Sequence, residues 1–81
     1  MRVRVRLFAS LREAAGEGEM ELELPAGASA EDAWQALALR HPALAGRRAR
    51  LSAAVNRRYV AFHETLQAGD EVVFVPPVSG G

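Results

Sequence analysis

The residues best placed to do chemistry are the last six of this 81-residue chain, Pro76-Pro77-Val78-Ser79-Gly80-Gly81. Two consecutive prolines lack amide donors and bias the backbone at Val75 and Pro76 toward extended geometry, so the chain leaves a preceding strand as a stiff arm. Fully extended, six residues reach at most about 20 Å. Gly80 and Gly81 carry no Cβ, which lets a terminal carboxylate thread a channel too narrow for any other residue and adopt angles closed to the rest. Such an end suits insertion into another protein's active site. A frayed terminus would account for the glycines but not for the prolines and Val78 ahead of them.

Other reactive groupings are sparse. The chain has no cysteine, which removes disulfides, a zinc knuckle, an iron–sulfur site and a thiol nucleophile together. His41 and His63 are too far apart for a helical ligand pair, and no metal is expected. Ser10, Ser29, Ser52 and Ser79 lack the Gly-x-Ser-x-Gly setting of a nucleophile, and the first two read as helix caps. Gly16-Glu17-Gly18 reads as a turn and not a phosphate loop. All ten basic residues are arginine, so Schiff-base chemistry and internal amine acceptors are missing. Any sulfur chemistry would have to use something other than a side-chain thiol.

The elements that must present this arm follow from periodicity. Arg2 to Phe8 alternate, with Val3, Val5 and Leu7 on one face and Arg2, Arg4, Arg6 and Phe8 on the other. Ser10-Leu11-Arg12-Glu13 reads as a capping box opening a short helix that Gly16 stops. Glu19 to Leu24 alternate again, placing Met20, Leu22 and Leu24 inward and three glutamates outward until Pro25. Antiparallel pairing would set those glutamates beside the arginines, at roughly 0.2–1 kcal/mol per pair.

Ser29 caps the main helix, whose Ala33, Trp34, Leu37 and, near its end, Leu44 recur at helical spacing until His41-Pro42 closes the segment. Leu51 to Val55 and Tyr59 to Phe62 read as short strands around an Asn56-Arg57-Arg58 turn. Gln67-Ala68-Gly69-Asp70 is a second turn, and Glu71 to Val75 is the strongest β-former. This order predicts one α+β domain over residues 1–75, a β-grasp with a mixed sheet of about five strands and one main helix on one face. Residues 76–81 form the flexible Gly-Gly tail.

With 49% apolar residues but sixteen of them alanine, there is material for one small core. The parity that buries Val72 and Phe74 turns Val73 and Val75 outward, where Phe8 and Tyr59 join them. An apolar patch of Phe8, Tyr59, Val73 and Val75 on the face without a helix reads as a partner surface. Ten acidic against ten basic residues give formal neutrality, which argues against nucleic acid or an anionic membrane as partner. Arg47, Arg48, Arg50, Arg57 and Arg58 stay open, as a solvated loop or an attractor of an anionic partner. The alternating N-terminus is no signal peptide and no run approaches a membrane span, so a cytoplasmic setting is expected.

On these residues the chain resembles the small, sulfur-carrier subunit family of molybdopterin synthase, ubiquitin-like β-grasp proteins. The likeness runs through Phe8-Ala9-Ser10-Leu11-Arg12-Glu13, Ala54-Val55-Asn56, Leu66 with Gly69-Asp70-Glu71-Val72, and above all Pro76-Pro77-Val78-Ser79-Gly80-Gly81. The resemblance implies that an ATP-using activating enzyme adenylates the Gly81 carboxylate. A sulfur donor then displaces AMP to leave a thiocarboxylate. The arm next enters the large subunit, where the sulfur passes to cyclic pyranopterin monophosphate to build the dithiolene. Pro76, Pro77, Val78, Ser79 and Gly80 would position Gly81, while Phe8, Tyr59, Val73 and Val75 would dock both partners. The family further implies a heterotetramer, with no cofactor bound by this chain. A sulfur carrier for thiazole or tRNA thiolation, a protein modifier, and a plain interaction module remain as alternatives.

Overall fold

The computed structural model describes residues 1–77. The expectations for Val78, Ser79, Gly80 and Gly81 therefore lie outside the described residues. Two alternating segments set the frame. In β1 (Arg2–Leu7), Val3, Val5 and Leu7 are buried, and antiparallel β2 (Glu19–Glu23) buries Met20 and Leu22 against the same core. The outward charges meet across the pair: Arg2 lies 3.4 Å from Glu23 and 3.8 Å from Glu21, and Arg4 3.8 Å from Glu19. Arg6 departs from the expected pairing and turns instead to Glu71 of the neighbouring strand, at 3.8 Å.

Between these strands α1 (Ala9–Ala15) begins two residues earlier than the Ser10 capping box predicts, with Phe8 as N-cap and no side chain capping it. The cause is Ala9, whose φ of 50° turns the chain sharply out of β1. The amides of Leu11 and Arg12 then donate to the Phe8 carbonyl, and Ser10 already sits inside the first turn. At the other end Gly16, at φ 82°, supplies the left-handed cap that a Cβ would strain.

The main helix, α2 (Ala30–Arg40), is capped as expected. Ser29 Oγ accepts from the Asp32 amide at 3.1 Å while Asp32 Oδ2 accepts from the Ser29 amide at 2.9 Å. Leu44, expected near its end, instead lies in a separate 3₁₀ turn (Pro42–Leu44), because Pro42 has no N–H to continue the helical ladder. It is still fully buried.

The remaining strands are β3 (Ser52–Val55), β4 (Arg58–Val60) and β5 (Glu71–Val75). Asn56 and Arg57, at φ 50° and 70°, make the tight turn between β3 and β4. The strand expected to run to Phe62 stops at Val60, because the segment beyond it serves α2. There the Phe62 and Glu64 carbonyls accept the Glu31 and Ala30 amides that a helix start leaves unpaired. The sheet order is β2-β1-β5-β3-β4, with β1 and β5 parallel and every other pair antiparallel.

α2 lies across the inner face. Trp34 is 1% exposed and meets the fully buried Phe74 edge-on, with ring centroids 5.2 Å apart; Phe62 also stacks on Phe74, at 6.0 Å. At the sheet margin the Arg40 guanidinium donates to the Glu21 carbonyl of β2 at 3.1 Å.

Candidate functional site: the open sheet face and the root of the tail

No described element covers the outer face of the sheet. The register draws one row across it, Glu19, Arg6, Val73, Ala54 and Tyr59. A second row starts one step beyond the Leu7–Phe74 pair, with Phe8 beside Val75 and Val75 opposite Ser52. Phe8, Val73 and Val75 are thus neighbours, as their parity predicts. Phe8 is 43% exposed, and Val73 and Val75 are half-buried. Tyr59 lies on the same face, 74% exposed, but two strands across from Val73, roughly 10 Å away.

The residue joining Tyr59 to the rest is Ala54, 9% exposed between Val73 and Tyr59. Sequence reasoning missed it, although its parity opposite Ala53 carried the signal. The patch is therefore a low apolar floor at Ala54 and Val73 with two aromatic rims, Phe8 and Tyr59. The Arg6 guanidinium stands 5.4 Å from the Phe8 ring centroid, held between that ring and Glu71.

The tail starts from the end of this surface. β5 ends at Val75; Pro76 is half-buried and Pro77 exposed. Because β1 and β5 run parallel, the chain exits the sheet beside Phe8, so the root of the arm and the apolar patch share one end of the molecule. A partner that seats on Phe8 and Val75 necessarily lies where the arm departs.

The arginine cluster divides. Arg48 is a clamp: it lies 2.7 Å from Glu31 at the start of α2, and its guanidinium covers the Phe62 ring at 3.3 Å from the centroid. Arg47 donates to the Ala43 carbonyl, and Arg50, Arg57 and Arg58 are exposed. The hydrogen bond from Arg48, seconded by Gln35, holds the Glu31 carboxyl below its ordinary value of 4.5. A depressed carboxylate contributes stability above its unfolded pKa and loses it as pH falls through the lower folded value. Both side chains are about one-third exposed, so screening limits the contribution. Glu31→Gln is expected to cost about 0.5–1 kcal/mol at about pH 7 and close to nothing at about pH 3, measured by urea unfolding at both.

His41 closes α2 with its Nε2 3.2 Å from Glu17 Oε2, without hydrogen-bond alignment, while His63 lies exposed on another segment. Among the described residues no three His, Cys, Asp or Glu side chains gather in a metal-holding group. Nor does any described helix have the length and apolarity to cross a membrane.

A mixed five-stranded sheet packed on one main helix, its opposite face open and carrying an apolar patch, and its last strand running out into an arm, defines a ubiquitin-like β-grasp carrier. The chain belongs to the ThiS family, which matches residues 5–81. It is 41% identical to the molybdopterin synthase sulfur carrier subunit of Chlamydomonas reinhardtii, all of both chains being covered. To the protein of that name in Escherichia coli it is 38% identical, with 98% of this chain and 99% of that one covered. The crystal structure of SAMP1 from Haloferax volcanii superposes with a TM-score of 0.91 at 34% identity, over the whole of both chains.

Proposed function

We propose that this chain is the sulfur-carrier subunit of a molybdopterin synthase. The observation that carries the reading is the arm itself: Pro76 and Pro77 lead off β5 beside the open apolar face, toward a terminus ending in Gly80-Gly81. Full-length similarity to curated sulfur carriers supports it.

A free carboxylate is a poor acyl donor. In this proposal an adenylating enzyme transfers AMP from ATP to the Gly81 carboxylate, releasing pyrophosphate, and a sulfur donor displaces AMP to leave the thiocarboxylate. The large subunit then binds the Phe8, Val73, Val75 and Tyr59 face, accepts the arm, and supplies the acids and bases for sulfur transfer to cyclic pyranopterin monophosphate. Pro76 to Gly80 deliver the reacting atom, and the chain itself binds no cofactor. The setting is cytoplasmic, and the working assembly is a heterotetramer.

The likeness to SAMP1 favours one second reading, a modifier whose Gly81 is joined to amines of other proteins. Intact mass spectrometry separates the two. With an adenylating enzyme, ATP and a sulfide source, Gly81 is expected to gain the mass of sulfur in place of oxygen. In a second step, addition of the large subunit and the pterin substrate should return that mass to the carboxylate. An unmodified terminus, where a known carrier is converted, would defeat the proposal. A thiocarboxylate that persists with pterin but forms amide adducts on other proteins would favour the modifier.

A further inference from the structure

An activated acyl terminus is at risk from every primary amine nearby, and this chain contains no lysine among its 81 residues. Its positive charge is carried entirely by guanidinium groups, which stay protonated below about pH 12 and are poor nucleophiles. Two of them flank the root of the arm. Arg6 lies opposite Val73 in β5, and Arg50 lies two residues before Ser52, the partner of Val75. Arg50 is exposed, and Arg6 is held by Glu71 and the Phe8 ring.

The remaining primary amine of the described chain is the α-ammonium of Met1. It donates to the Leu24 carbonyl and lies 3.2 Å from Glu23 Oε2. Parallel pairing of β1 with β5 puts it at the opposite end of the sheet from the tail root. Met1 and Phe8 are seven residue steps apart, about 23 Å along a strand. The six residues from Pro76 to Gly81 span at most about 20 Å. Only at full stretch would the arm approach the Met1 amine, and that amine is already paired.

We infer that this chain is a donor-only acyl carrier: arginine in place of lysine at positions 6 and 50, with a remote and paired Met1 amine, protects the activated Gly81 from capture by its own molecule. The inference rests on the reading of Gly81 as an activated terminus. Were a lysine at position 50, its neutral amine would attack the Gly81 acyl carbon. A C–N bond would form, the bond to AMP would break with its electron pair leaving on AMP, and a proton would pass to solvent. The product is an isopeptide that can no longer accept sulfur.

An enzyme-free probe keeps the two readings apart. Released from an intein fusion by mercaptoethanesulfonate, the chain carries a Gly81 thioester that any amine within reach can attack. At mildly alkaline pH the wild-type thioester is expected to hydrolyse to the acid, with no amide-linked ring or dimer in the intact mass. Arg50→Lys, which exchanges one exposed cation for another, is expected to give a hydroxylamine-resistant ring at least about tenfold above wild type, because tethering supplies millimolar effective concentration. Arg6→Lys is the second variant.

Acylation of Met1 or dimer formation by the wild-type thioester would overturn the inference. So would lysine variants that both cyclise no more than wild type. If an adenylating enzyme with ATP leaves Gly81 unchanged while the thioester results hold, the sulfur-carrier reading fails and the donor-only property stands.

Discussion

Deleting Gly80 and Gly81 is expected to reduce sulfur transfer to the background rate while leaving the fold and large-subunit binding nearly intact. The Gly81 acyl group that would accept AMP and then sulfur is gone, yet among the described residues every member of the buried core lies at or before Phe74. The tail-less chain should melt within a few degrees of wild type and compete with it for the large subunit. A large fall in melting temperature would make the tail structural and would contradict this.

The complementary variant is Phe8→Asp. Phe8 is the N-cap of α1 in extended backbone, a position where aspartate is among the preferred residues, so the fold should tolerate the change. Its ring, however, is the exposed aromatic rim of the proposed contact, beside the root of the arm. Removing it and adding a charge should weaken large-subunit binding by about 2 kcal/mol, roughly thirtyfold, as hot-spot aromatics do. Unchanged affinity by titration calorimetry would exclude this face as the docking surface.

The largest loss of stability is expected at Trp34→Ala. Trp34 is nearly inaccessible and wedges α2 against Phe74, which in turn stacks on Phe62 beneath Arg48. Truncating a buried tryptophan costs about 3–5 kcal/mol, and small domains hold only about 5–15 kcal/mol in total. For a chain this short about 1 kcal/mol shifts the midpoint by 4–8 °C, so the melt followed by far-ultraviolet circular dichroism should fall by at least about 12 °C. Trp34→Phe, which keeps a ring against Phe74, should lose less. A drop under about 5 °C for the alanine variant would mean that the core closes over the gap.

What the sequence made legible was whatever repeats over two residues. The alternation of Arg2 to Leu7 and Glu19 to Leu24 reports face and register because each side chain has one of two destinations. The same rule turned Phe8, Val73 and Val75 outward together. Features decided by distant partners were not legible. Nothing local shows that Arg48 would find Glu31 and Phe62, or that Arg6 would prefer Glu71 to Glu19. Ala54 went unnoticed because its methyl matters only as the floor between Val73 and Tyr59. The Ser10 cap was misplaced since the local pattern fits, but the left-handed turn at Ala9, which moves the cap to Phe8, is imposed by chain reversal out of β1.

The guanidinium of Arg40 on the Glu21 carbonyl has a consequence for life at high concentration. Every open sheet has two margins where unpaired amides and carbonyls invite strands from another molecule. On β2 that margin is partly occupied by Arg40 and fenced by the glutamates at 19, 21 and 23, while β4 exposes only three residues. Arg40→Ala should therefore leave the monomer folded but make it more prone to stack edge to edge into fibrils. A small carrier at high concentration meets many copies of itself, and this contact helps it to pass them without sticking.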